Sequence, residues 1–182
     1  VPGTYQLAAV VNISGEGTRL KSAVPGRAVV LVGAAGNRVV NVSARNAGAT
    51  IDGIIITGGS LTSGNGGGIN VARGGVLALV NSTVTGNKAV DGGGVNNDGT
   101  ITVTNSTIDT NTATGKGGGL RDTGRTTMSN STFNANVASQ GGAMSVAGTA
   151  TVTHATVVGN VATSSSSAGV DRNGGSLTVS YS

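Results

Sequence analysis

One phrase returns along this chain at a nearly constant interval. An apolar residue three places before an asparagine occurs at Val84/Asn87, Ile108/Asn111, Phe133/Asn136 and Val157/Asn160, with spacings of 24, 25 and 24. The apolar residue after each glycine cluster, at Ile69, Val95, Leu120, Met144 and Val170, recurs at 26, 25, 24 and 26. Asn-Ser-Thr opens at Asn81, Asn105 and Asn130, and His154 takes the same slot one unit later. Three markers in one register define a repeat, and a repeat constrains the fold before any other feature does.

Each unit divides into three short stretches. One follows the glycines (Val95-Asn96-Asn97), one is Thr100-Ile101-Thr102-Val103-Thr104, and one is Ser106-Thr107-Ile108-Asp109. Apolar residues alternate with Thr, Ser or Asn, the period of a strand with one buried face. No helical period is sustained, which excludes tetratricopeptide and ankyrin repeats, and the leucine-rich pattern is absent. Three strands in 24–26 residues predict an all-β parallel β-helix, or β-solenoid, with coils stacked ~4.8 Å apart. Residue i then lies over its counterpart one unit on. Val95, Leu120 and Met144 form one interior file, and Val84, Ile108, Phe133 and Val157 another.

Composition agrees with a narrow interior. The chain has 33 Gly, no Trp, one Phe and two Tyr, and its apolar residues are mostly Val, Ile and Ala. Those side chains fit strands but would not fill a wide two-layer core. The glycine triplets are expected at sharp corners needing positive φ. Asn87, Asn111, Asn136 and Asn160 are expected to stack as a structural ladder, each amide donating to one neighbour and accepting from the other.

The repeat loosens toward both ends. Ile51 to Gly59 aligns with Leu79 to Asn87 at a spacing of 28, and Val39–Val42 and Val29–Val32 read as rungs of irregular coils. We expect a single domain over 1–182, with 1–48 as irregular N-terminal coils or a cap beginning at Val1-Pro2, and 49–182 as regular coils. Ser164–Ser167 reads as a lengthened loop. The chain starts at Val1 and ends on Val179-Ser180-Tyr181-Ser182 in mid-pattern, as a processed protein or a segment of a longer one would.

The phrases Asn-Ser-Thr-Val-Thr-Gly-Asn and Gly-Gly-Gly-apolar resemble right-handed parallel β-helix repeat proteins of bacterial surfaces. Phe133-Asn-Ala-Asn136 followed by Gly141-Gly142-Ala143-Met144 is similar to the paired Phe-x-x-Asn and Gly-Gly-Ala-Ile motifs of the polymorphic outer-membrane protein repeat family. Only Phe133 matches the motif's Phe; Val84, Ile108 and Val157 stand in for it elsewhere. The resemblance implies a right-handed parallel β-helix and secretion or surface display, with adhesins and passenger segments among the group.

Chemistry is sparse. Eleven Lys and Arg against seven Asp and Glu leave a net charge of +4, without a basic run or interleaved aromatics, so no nucleic-acid partner is expected. No Cys is present for a disulfide. No apolar run is long enough for a transmembrane helix. The best candidate ligand face groups Asn97, Asp98, Arg121, Asp122, Asp171 and Arg172 in the strands after the glycines. Asp98 and Asp122 would be the carboxylates of a polysaccharide-cleaving site, while Arg–Asp pairing on a solvated face is the plainer account. His154 reads as a substitution in the Asn slot. No catalytic residue, metal site or cofactor is expected.

The expected function is a non-enzymatic extracellular or cell-surface protein, structural or adhesive, able to self-associate end to end into a fibre and to meet a host surface or polysaccharide. A polysaccharide-binding or polysaccharide-cleaving β-helix is the alternative. Ice binding is a further one, from Thr102-Val103-Thr104 and Thr151-Val152-Thr153. Ala78-Leu79-Val80 and Thr127-Met128-Ser129 interrupt that Thr-x-Thr row.

Overall fold

A computed structural model describes residues 3–23, 29–43, 48–164 and 166–180. Val1-Pro2, Ser165 and Tyr181 therefore lie outside the described residues, and with them the start of the expected cap and part of the Ser164–Ser167 loop.

The chain is a parallel β-solenoid of about seven coils, and the described residues contain no helix. In the regular coils the path repeats without change. Val95–Asn97 belongs to sheet B, Thr100–Thr104 to sheet C, Thr107–Asp109 to sheet A and Thr112–Ala113 to a short sheet D, before Leu120–Asp122 re-enters sheet B. Sheets A, B and C hold seven strands each, and sheet D four. Every pairing is parallel with one coil as the offset: Val95↔Leu120↔Met144↔Val170, Val103↔Met128↔Val152↔Val179 and Val84↔Ile108↔Phe133↔Val157. The upstream rungs are in place too. Val29–Val32 pairs with Ile54–Thr57, and Val40–Val42 with Ile69–Val71. The first coil is supplied by Thr4–Gln6, Val11–Ile13 and Arg19–Lys21, within the stretch whose start reads as a cap.

Alternation puts one residue in two inside. Ile101 and Val103 are fully buried while Thr102 is exposed, and Leu79, Ile108, Leu120, Met128, Phe133 and Met144 close the same interior. Each such burial contributes roughly 1.5–3 kcal/mol. Because every coil covers the next, the core is a column one side chain thick, and Val, Ile and Ala fit it better than aromatics.

The glycines of a triplet do two different jobs. Gly92 takes φ 58 and turns the corner, as Gly117 and Gly141 do at φ 64 and 63. Gly93 is there for closeness instead, since a Cβ would lie 2.4 Å from Thr112 O on the next coil. Positive φ also explains the Asn of Asn-Ser-Thr. Asn81, Asn105, Asn130 and His154 all sit near φ 50, the left-handed region that Asn tolerates best among residues with a Cβ. His154 thus occupies a backbone corner.

Candidate functional site

Two polar rows run along the inside of the coil corners. In the first, Asn87, Asn111, Asn136 and Asn160 are bonded in sequence. Nδ2 of each donates to Oδ1 of the next, at 3.1, 3.0 and 3.0 Å. The same Oδ1 accepts the backbone N–H of the preceding asparagine, at 3.0, 3.1 and 2.9 Å. Nδ2 of Asn111 and Asn136 also reaches back to the carbonyls of Val84 and Ile108, at 2.9 and 2.8 Å. The row starts at the Gly59 N–H, which donates to Asn87 Oδ1 at 2.9 Å.

The second row is the serine of Asn-Ser-Thr, a residue to which sequence reasoning gave no role. Ser106 Oγ accepts from Ser82 N, and Ser131 Oγ from Ser106 N, each at 3.1 Å. All three serines are buried. Both rows satisfy corner N–H groups that the sheets leave unpaired, so they are structural.

The six residues of the predicted ligand face do not share a face. Register pairs Asn96 with Arg121 and Asn97 with Asp122, so Arg121 and Asp122 point to opposite sides of their strand. Asn97 and Asp122 are fully buried, with Thr126 beside them. Asn97 Nδ2 donates to Asp122 Oδ1 at 2.7 Å, and Thr126 Oγ1 donates to the same oxygen at 2.9 Å. They form a polar island in a file that holds Val71 one coil before and Val146 one coil after. Arg172, next in that file, is exposed on the final coil, and Asp171 falls on the outward file of Arg121.

Burial pushes the Asp122 carboxyl above its ordinary range, against hydrogen bonds from Asn97, Thr126 and the Gly124 backbone, while the nearby Asp98 charge adds to the rise. Oδ2 of Asp122 has no partner. The folded state therefore holds this proton more tightly than the unfolded chain, and stability rises as pH falls through the raised folded value toward the ordinary one near ~3.9. Asp122→Asn should abolish that rise and be at least as stable as the wild type at pH 8. Urea titrations at several pH values check it; an unchanged slope between pH 8 and 4 would rule out Asp122 as its source.

Outside, a third row of side chains climbs sheet B. Oδ1 of Asn12, Asn41 and Asn70 accepts from Nδ2 of Asn41, Asn70 and Asn96, at 3.2, 2.9 and 2.9 Å. Arg121 Nη1 continues it with a 2.8 Å bond to Asn96 Oδ1. This row includes Asn96, not its predicted neighbour Asn97. The outward-inward alternation was the available signal, but Asn stands at both positions and hides it.

Arg121 is held by two carboxylates, with Nε 3.4 Å from Asp91 Oδ2 and Nη1 3.2 Å from Asp98 Oδ1. Burial raises the Asp98 carboxyl, but hydrogen bonds from Thr123 and Asn96 and the Arg121 charge outweigh it and leave it below its ordinary value. Its contribution to stability is present above the unfolded value and is lost as pH falls through the lower folded one, so its window lies below that of Asp122. No group of His, Cys, Asp and Glu among the described residues is arranged to hold a metal ion.

The outward positions of sheet C carry hydroxyls over successive coils. Register carries Thr102/Thr104 onto Thr127/Ser129, then Thr151/Thr153, then Thr178/Ser180. The hydroxyl pattern that reads as interrupted at Ser129 continues through it, because Ser supplies the same oxygen and only Met128 between them faces inward.

Compared with protein-family models, curated proteins and solved structures, the chain matches none of them. The solenoid architecture accordingly rests on the observed register, and the narrower likeness to outer-membrane protein repeats gains nothing from these comparisons.

Proposed function

We propose that the chain is a rigid, non-enzymatic scaffold of an extracellular or cell-surface protein, structural or adhesive. The observation that carries this reading is the disposition of the acids around Arg121. Asp91 and Asp98 are both tied to its guanidinium, and Asp122 is sealed in the interior. Two opposed carboxylates facing one substrate, the minimum for glycosidic cleavage by acid and base, are not assembled there. The last described coil also leaves Val157 and Val179 43% and 47% exposed on files that are buried in earlier coils. A further coil, from this chain or another copy, would cover them and lengthen the rod.

Antibody labelling of intact producing cells, together with a panel of acidic and neutral polysaccharides with and without Ca²⁺, tests the reading. Surface label without turnover is the expected result. Turnover that Asp98→Ala abolishes would replace the scaffold by the enzymatic alternative.

The hydroxyl grid on sheet C favours ice binding as a second reading. Its repeat is ~4.8 Å between coils and roughly 6.6 Å between alternate residues, a two-dimensional array of hydroxyl oxygens. Thermal hysteresis that Thr127→Lys eliminates would support it; freezing indistinguishable from that of an albumin control would dismiss it.

A further inference from the structure

We propose that a cleft on the outer face of sheet B binds a single sugar residue of a glycan, a site that rests on the surface-scaffold reading and gives it a ligand class. The cleft has a volume of about 280 Å³ and is lined by Asp91, Lys116, Arg121, Gln140, Ser145 and Asn173.

Its origin is a break in the outward row. Asn12, Asn41, Asn70, Asn96 and Arg121 fill successive positions with long side chains bonded to one another. The next position is Ser145, in register with Arg121 before it and Asp171 after it. A short side chain between two long ones leaves a hollow one coil deep.

The hollow has a polar floor with unspent capacity. Ser145 is only 2% exposed, yet its hydroxyl has no protein hydrogen-bond partner among the described residues and borders the cleft. Solvent reaches that hydroxyl through the cleft, where a ligand oxygen can take the place of water as its partner. The walls are equally open. The side chains of Lys116, Gln140 and Asn173 likewise have no protein partner among the described residues.

The chemistry selects the ligand class. The charges of Asp91 and Asp98 balance those of Lys116 and Arg121, so the site does not demand an anion. Two carboxamides and a serine hydroxyl both donate and accept, matching the paired donor and acceptor character of a sugar hydroxyl. Lys116 and the N–H groups of Arg121 left over from its ion pairs supply further donors. The volume sits near the lower end of ligand-site sizes and suits one pyranose ring. No aromatic platform is present, so single-site affinity is weak and function depends on many copies displayed together.

The test uses the chain displayed multivalently on beads, over an array printed with neutral hexose, N-acetylhexosamine and uronic acid oligosaccharides. The methyl glycoside of the strongest hit is then examined by saturation-transfer NMR. Ser145→Val fills the floor, while Lys116→Ala and Asn173→Ala remove wall groups at the surface and cover the case in which the buried variant fails to fold. At least a tenfold loss of signal in each folded variant, with Thr102→Ala on sheet C unchanged, is the expected result. The absence of any array signal, or a signal that survives Lys116→Ala and Asn173→Ala, overturns the site. Cell-surface label without glycan signal removes the cleft and leaves the scaffold; glycan turnover with cleft-dependent binding keeps the cleft and removes the non-enzymatic reading.

Discussion

Phe133→Ala should lower the stability of the solenoid by about 3–5 kcal/mol and its melting temperature by roughly 6–20 °C. Phe133 is 1% exposed and lies between Ile108 and Val157 in the interior file of sheet A. It is the largest side chain in a column built for Val and Ile, and the fold has made room for it. A Cβ on Gly119 would fall 2.8 Å from Phe133 Cδ1, so the ring uses the space that this glycine leaves. The hole left by alanine cannot be refilled from that side, because the same Cβ would lie 2.6 Å from Ala143 O. The surrounding strands are pinned by ladders on both coils, which limits collapse and puts the loss at the full cavity cost. Val157→Ala in the same file is the control. Val157 is 43% exposed on the last described coil and has little burial to lose. Thermal unfolding of the two variants should separate them clearly. Equal melting temperatures would mean that the interior of this file is not packed as described.

The architecture was readable because a solenoid writes its register into its spacing. Once Val84, Ile108, Phe133 and Val157 recur at one interval, parallel stacking places each over the last, and alternation sets the inside. The asparagine row follows from the same spacing, although its bonding to the backbone does not. Asn87, Asn111 and Asn136 do more than stack, since their Oδ1 and Nδ2 atoms serve corner N–H and C=O groups of adjacent coils. The serine row was in plain view as the centre of Asn-Ser-Thr, but Ser is common at exposed turns and carries no sign of burial. The candidate face was less legible for a sharper reason. Asn97 and Asp122 are polar residues at inward positions, so polarity pointed outward while strand phase pointed inward. Phase prevails because a one-residue slip would expose Val95 and Leu120 of the same strands. The cleft at Ser145 depends on what is missing from a row, and the row itself becomes visible only through the bonds between Asn41, Asn70 and Asn96.

The inner asparagine row predicts the second large effect. Asn111→Asp should destabilise the protein by about 3–6 kcal/mol at neutral pH, because two buried acceptors each lose the Nδ2 donor, Asn136 Oδ1 keeping only the Asn111 backbone N–H, and both face a carboxylate oxygen. The substitution keeps side-chain volume, so no cavity contributes. Nδ2 of Asn111 lies 2.9 Å from Val84 O and 3.0 Å from Asn136 Oδ1, and both are acceptors. Oδ1 can still receive Asn87 N and Nδ2. A carboxylic acid restores one donor where the carboxylate supplies none, so the variant's folded-state pKa is raised. Its stability therefore recovers as pH falls toward the ordinary carboxylate value, opposite to loss of an ion pair on acidification. Asn160→Asp is milder, since Asn160 is partly exposed and its donor bonds to Phe133 O and Val158 O can pass to water. Hydrogen exchange adds the spatial test. With the central rung broken, protection should fall at the backbone N–H groups of Asn87 and Asn111, each bonded to a ladder oxygen, before it falls at Gly59. Full wild-type stability of Asn111→Asp at pH 7 would show that the row is bystander geometry and that the sheets alone hold the coils in register.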